Sequence, residues 1–163
     1  MKKFHSEGRA KSIGVSNFHQ DRLVDLIQHN AVVPAVNQVE THPFHQRVED
    51  QAALRELGVQ IESWGPFAEG RNNLFTDQVL SAIAANHDVS VAQVVLHWLT
   101  QRGVVVIPKT VSADRMAQNL DIFGFSLTDD EMADIARLDT GESLFFDHRD
   151  PKMVRALGGR GLS

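Results

Sequence analysis

Four short apolar runs, each ending in a polar cluster and leading into a segment of helical periodicity, set the rhythm of this chain. The runs cover residues 12–15, 34–37, 59–61 and 104–108, and they end at Ser16-Asn17, at Gln38, at Ser63-Trp64 and at Lys109-Thr110. Buried parallel strands read as such runs, and their carboxyl ends are where α/β folds place ligand-binding groups. Between the runs, Leu23, Leu26 and Ile27 recur at i, i+3 and i+4 and predict a helix over about 19–29. Ala53, Leu54 and Leu57 share a face and predict another over about 48–57, while Gly8 closes a helical stretch at 1–7.

The first three strand centres lie roughly 23 to 25 residues apart and the fourth follows after roughly 45, more than one βαβ unit needs. Two helices fill the surplus. One spans 77–87, and the capping box Ser90-Val91-Ala92-Gln93 opens the second, with Val94, Val95, Trp98 and Leu99 turned to the core. Beyond the fourth strand, Ser112 caps a helix running to about Phe123, and Thr128-Asp129-Asp130-Glu131 opens one to about Leu138. Residues 141–163 have weak periodicity and read as a loop over the barrel mouth or as partly disordered.

The fold class is therefore α/β, a partial (β/α)8 barrel of four β/α units with an added C-terminal helix and tail. A complete eight-unit barrel takes about 250 residues, and this chain has 163. One domain over 1–163 is expected, and half a barrel implies half of the site that its strand ends would build.

Composition narrows the partners. Hydrophobic residues make up 42% and charged residues 23%, which argues against disorder and against a membrane span. A formal charge of -5 and a pI near 5.9 argue against broad attraction to nucleic acid or to an anionic membrane, so any anion site must be local. The absence of cysteine removes disulfides, thiolate metal sites and a cysteine nucleophile, and fits a cytoplasmic protein. The opening Met1-Lys2-Lys3-Phe4-His5-Ser6-Glu7 has no apolar core of signal-peptide length. Tyrosine is absent as well.

Two constellations carry chemistry. Lys109 ends a strand and Arg115 lies about one turn into the next helix, so both reach that helix's N-terminus. Ammonium, guanidinium and helix dipole together suit a phosphomonoester. Asn119, one turn on, adds an amide that could pair with a base edge. The plainer alternative is a solvated lysine and an arginine on an exposed face. At the other three strand ends, Ser16, Asn17, Gln38 and Trp64 offer donors, acceptors and a flat stacking face suited to a carboxamide-bearing ring. Against this, Ser16 and Asn17 could simply cap the next helix, Gln38 could satisfy backbone, and Trp64 could be core.

Other motifs fall short. Gly14-Val15-Ser16-Asn17-Phe18 imitates a nucleophile elbow but has Phe18 where the second glycine belongs, which argues against a hydrolase. His42 and His45 flank Pro43 with poor spacing for zinc and read as loop histidines, so no metal site is expected. Gly158-Gly159-Arg160-Gly161 has no following helix and cannot be a strand-to-helix phosphate loop.

The run from Gly8 to Phe18, Gly-Arg-Ala-Lys-Ser-Ile-Gly-Val-Ser-Asn-Phe, resembles the fifth-strand signature of the aldo-keto reductases. Val36-Asn37-Gln38-Val39-Glu40-Thr41-His42-Pro43 resembles the sixth strand, Glu62-Ser63-Trp64-Gly65-Pro66-Phe67 the seventh, and Val105-Val106-Ile107-Pro108-Lys109-Thr110-Val111 the eighth. The tail Phe145-Phe146-Asp147-His148-Arg149-Asp150-Pro151 is similar to bacterial members. The resemblance implies an NADPH-dependent carbonyl reductase whose cofactor is bound by the second half of the barrel. On that likeness Ser16, Asn17 and Gln38 hold the nicotinamide carboxamide and Trp64 stacks on the ring. Lys109, Thr110 and Arg115 take the adenosine 2′-phosphate, Gln118 and Asn119 lie near adenine, and Phe67 and Val111 complete the NADP(H) contacts.

The chain also departs from the family pattern. Gly65-Pro66-Phe67 replaces the usual Ser-Pro-Leu, and Gln118 stands where glutamate is common. The family's proton donor is a tyrosine assisted by lysine, aspartate and histidine from the first four units, and no tyrosine is present here. The resemblance therefore implies an N-terminally truncated oxidoreductase, silent by itself, whose completed form would act on a small carbonyl substrate with Phe67, Phe145 and Phe146 as candidate walls. The alternative is a silent NADP-binding half-barrel that pairs with itself or with a missing first half, driven by two open sheet edges and an apolar inner face.

Overall fold

The computed structural model describes residues 1–159. Thirteen elements follow in order: α1 (Lys2–Ser6), β1 (Val15–Ser16), α2 (Gln20–Gln28), β2 (Val36–Glu40), α3 (Val48–Glu56), β3 (Gln60–Trp64), a kinked 3-10 segment (Ala68–Thr76), α4 (Gln78–Asn86), α5 (Val91–Gln101), β4 (Val105–Val106), α6 (Ala113–Leu120), α7 (Asp129–Ala136) and α8 (Pro151–Gly158). The four strands form one parallel sheet in the order β1-β2-β3-β4. Each strand is followed in sequence by helix, which is the expected partial barrel of β/α units.

Register explains which side chains face where. Val15 pairs with Asn37, Asn37 with Ile61, Val39 with Ser63, and Ser63 with Val106. These alternate positions share the face covered by helices, since successive side chains of a strand point to opposite sides. Val39 and Ile61 are buried there in one cluster with Leu23, Leu54, Val94, Trp98 and Ile135. Each such side chain contributes about 1.5–3 kcal/mol by burial. The other face carries Ser16, Gln38, Glu40, Glu62, Trp64 and Val105. The expectation of an apolar inner face is thus corrected: the helix-free face is largely polar, and its Gln38 and Glu62 pair with each other at 2.5 Å.

Strand extents also differ from the sequence pattern. The two central strands run further than their apolar runs, to Glu40 and Trp64, because pairing on both sides satisfies the backbone and the polar side chains find partners. The two edge strands shrink to two residues each. Gly14 allows β1 to reach β2 at all, since a Cβ there would lie 2.3 Å from Val36 Cγ1 and 2.8 Å from Val36 O.

Both predicted capping boxes are present, Ser90 with Gln93 and Thr128 with Glu131. Helix α6 ends at Leu120, short of Phe123, because Asp121 leaves helical geometry, its carbonyl accepts from Gln93 Nε2 at 2.7 Å, and Ile122 turns into the core. The tail was expected to be a loop over the barrel mouth or partly disordered; its Ser143 and Leu144 do bond to Glu40 at the end of β2, but α8 then forms on Asp150 as N-cap with Pro151 in its first turn. Of the Gly158-Gly159-Arg160-Gly161 run, Arg160 and Gly161 lie outside the described residues. Among the described residues no single helix is long and apolar enough to cross a membrane.

Candidate functional site

At the carboxyl ends of β1, β2 and β3 the polar residues named above are joined by direct hydrogen bonds. Asn37, buried on the helix side of β2, donates from Nδ2 to Phe18 O at 2.8 Å and accepts from Phe18 N–H at 3.3 Å. That pair of hydrogen bonds to the loop after β1 helps hold Asn17 in the left-handed region at φ 59, where the Asn17 N–H donates to Gln38 O at 2.9 Å. Ser16 Oγ donates to the same carbonyl at 3.0 Å. Trp64 Nε1–H then donates to Asn17 Oδ1 at 2.7 Å, which fixes the orientation of that amide and turns its NH2 away from the indole. The caps proposed as the plainer alternative are not what is found: α2 has His19 at its N-cap, with no side-chain cap bond. Gln38 spends its NH2 on the Glu62 carboxylate rather than on backbone. Trp64 is half-buried, with Phe145 edge-on at 5.0 Å between ring centroids.

The second constellation gathers around one cleft of about 560 Å³. Lys109, Thr110, Val111, Arg115, Gln118 and Asn119 all border it, and Phe67 and Phe75, 5.6 Å apart, form an aromatic wall. Helix α6 opens onto this cleft, with Ser112 Oγ accepting from Arg115 N–H and Thr110 Oγ1 accepting from Ser112 N–H at 3.2 Å. Lys109 and Arg115 are exposed and enter no ion pair among the described residues, so both charges are free for a ligand. Phe67 belongs to this cleft, whereas Phe145 and Phe146 lie with the first constellation; the three do not form one wall.

A third feature has no counterpart in the sequence reading. Glu40, at the end of β2, is buried and accepts from His42 Nε2 at 2.9 Å, Leu144 N–H at 2.9 Å and Ser143 Oγ at 2.6 Å. Burial pushes its carboxyl up, but these hydrogen bonds outweigh burial and hold it down at about 2. The carboxylate ties the tail across the strand ends. Arg71 of the 3-10 segment adds a second tie, donating to Leu144 O and lying 4.1 Å over the Phe145 ring. His42 is therefore no loop histidine but a fully buried partner of Glu40, and His45 is buried beside it. The available signal was a lone charged residue closing an otherwise uncharged strand.

The sequence profile of the Aldo/keto reductase family matches residues 1–140. The chain belongs to that family. It is 43% identical over 159 residues to morphine 6-dehydrogenase of Pseudomonas putida, covering 91% of this chain and 54% of that enzyme. Against methylglyoxal reductase DkgA of Escherichia coli K12 the identity is 40% over 144 residues, 88% of this chain and 52% of the relative. The crystal structure of a Bombyx mori aldo-keto reductase in complex with NADP superposes with a TM-score of 0.84 at 32% identity, covering 93% of this chain and 52% of that one. The chain thus spans about half the length of the relatives it matches, and the aldo-keto reductase barrel accounts for its four-stranded parallel sheet.

Proposed function

We propose that this chain is the NADP(H)-holding part of an aldo-keto reductase type oxidoreductase of the cytoplasm that acts on small aldehydes or ketones. The complementarity at the three strand ends carries this reading. A primary carboxamide needs an acceptor for its NH2 and a donor for its carbonyl. Asn17 Nδ2 and Gln38 Oε1 have no partner among the described residues, while Asn17 Oδ1 accepts from Trp64 and Gln38 Nε2 donates to Glu62. Ser16, Asn17 and Gln38 would thus hold a nicotinamide amide, with Trp64 presenting its ring for stacking. At the other end Lys109, Thr110 and Arg115 would take a 2′-phosphate at the start of α6, with Val111, Gln118, Asn119 and Phe67 around adenine.

A bound reduced nicotinamide supplies the hydride for carbonyl reduction. The residues here would bind and orient it, while no tyrosine is available to pass a proton to the carbonyl oxygen. Fluorescence titration with NADPH and NADH tests the assignment. Lys109→Ala and Arg115→Ala are each expected to weaken NADPH by about 10- to 100-fold, the worth of a charge-assisted hydrogen bond, and to leave NADH nearly unchanged. Equal losses for both nucleotides would refute the phosphate site. The purified chain alone is expected to show no carbonyl-dependent loss of NADPH absorbance, and turnover that persists through repurification would refute the assignment of silence.

A second reading, an assembly module that pairs with a copy of itself or with another half, is favoured by one observation. Both β1 and β4 pair on one side only, and the helix α6 that follows β4 exposes Met116 and Leu120 (74% exposed), followed by Phe123 (72%). Open sheet edges and exposed apolar side chains each favour association. Sedimentation at micromolar concentration is expected to show a dimer or larger, and a clean monomer would count against this reading.

A further inference from the structure

Beside the nicotinamide constellation, whose Trp64 lies 6.2 Å from His148 between ring centroids, a small cavity of about 200 Å³ opens where the tail crosses the end of β2. Three histidines from three chain segments border it: His19 before α2, His45 in the loop after β2, and His148 in the tail, together with Arg47 and Asp147. His45 is only 8% exposed, its Nδ1 has no hydrogen-bond partner, and its backbone is pinned on both sides by His42. His148 leans on Phe146 at 4.6 Å between ring centroids, so its position is also set by packing. Rigid imidazoles converging from separate segments form a cavity whose character depends on how many of them carry a proton.

Arg47 is paired with Asp50 at 2.9 Å, and Arg149 with Asp21 at 2.6 Å. Glu40 faces the cavity region from β2 but is committed to His42 and the tail, and Asp139 lies beyond His45 after α7, accepting from Gln46 N–H. Among the described residues that border the cavity, Asp147 is the one carboxylate and Arg47 the one guanidinium. With neutral imidazoles the wall is close to neutral, and with protonated ones it gains up to three positive charges from three directions. We propose that this cavity is a proton-coupled site for a small tetrahedral oxyanion of sulfate or phosphate type, which enters together with protons on His19, His45 and His148.

The direction of titration fits. Burial, and then the charges of Arg149 and Arg47, lower His19; burial, and then Arg47, lower His45; burial, and then His19 and Arg47, lower His148. Each imidazole is thus disfavoured as a cation in the empty cavity. Protonation costs stability as pH falls below the ordinary histidine value of about 6.5, and a bound dianion reverses that cost. Anion affinity must therefore rise toward acid, by roughly tenfold per pH unit for each proton taken up.

Sulfate is the suitable probe because it stays divalent across this range. Calorimetric titration of the full chain at about pH 5.5 and about pH 7.5, in pairs of buffers that differ in ionisation heat, reads affinity and proton uptake together. An Arg115→Ala background weakens the competing anion cleft at α6. Stronger sulfate binding at the lower pH is expected, with net proton uptake that falls in His148→Gln and in His19→Gln but not in His29→Gln, an exposed histidine off this cavity. Imidazole NMR signals of His19 and His148 are expected to shift with sulfate. The proposal is overturned if binding is equal at the two pH values, if it vanishes in the Arg115→Ala background, if the two variants leave it intact, or if acid detaches the tail without sulfate uptake.

Discussion

Glu40 receives three donors, and each would face an amide if the carboxylate were replaced by Gln. Because the folded carboxyl is held at about 2, its contribution is present above the unfolded value near 4.5 and is lost as pH falls from there toward 2. Glu40→Gln is expected to cost about 1–3 kcal/mol at neutral pH, from charged hydrogen bonds exchanged for weaker or unmade ones. Urea denaturation at neutral pH and near pH 3 measures this, and the difference between wild type and variant should shrink at the lower pH. The residue itself was legible within the sixth-strand likeness, but its partnership was not, because Ser143 lies 103 positions along the chain. Ser16, Asn17, Gln38 and Trp64 were legible as strand-end polar groups. That Asn37, one position from Gln38, shapes the loop that presents Asn17 could not be read from spacing, since the contact crosses two strands.

At the scale of elements, the helices were the most readable parts because their signals are local. The caps at Ser90, Ser112 and Thr128 and the periodicity of α2 and α3 each lie within a few residues of the structure they produce. Gln93 does more than its capping box implies: it accepts from Ser90 N–H and Ser90 Oγ, and its Nε2 reaches Asp121 O, stopping α6. Ser90→Ala is therefore expected to cost about 1 kcal/mol, as ordinary cap losses do. Gln93→Ala should cost more, since it also leaves a carbonyl unpartnered, and thermal unfolding of the two variants orders them. Equal losses would mean that the Asp121 contact contributes nothing. Helix α8 was missed although Asp150-Pro151 is an N-cap and first-turn proline pair, because the tail's weak periodicity was given more weight. The segment Ala68–Thr76 escaped for a different reason: Gly70, Asn72 and Asn73 tolerate left-handed geometry, but Ala68 and Glu69 adopt it too and carry no such signal in the sequence.

For the whole molecule, order and register of four parallel strands bring scattered polar residues to neighbouring strand ends. The β/α alternation made the partial barrel legible. The helix-free face was not, because assigning it needs the register that sets Gln38 beside Glu62 rather than an apolar layer. The central claim is that the ends of β1, β2 and β3 hold a nicotinamide while the start of α6 holds the phosphate of the same NADP(H). Nuclear Overhauser contacts within the chain–NADP complex test it most directly. The account predicts contacts between the nicotinamide ring protons and the Trp64 indole, together with contacts between adenine protons and Phe67 or Asn119. Nicotinamide contacts confined to the Phe67–Asn119 cleft, or a bound NADP showing none to Trp64, would contradict it.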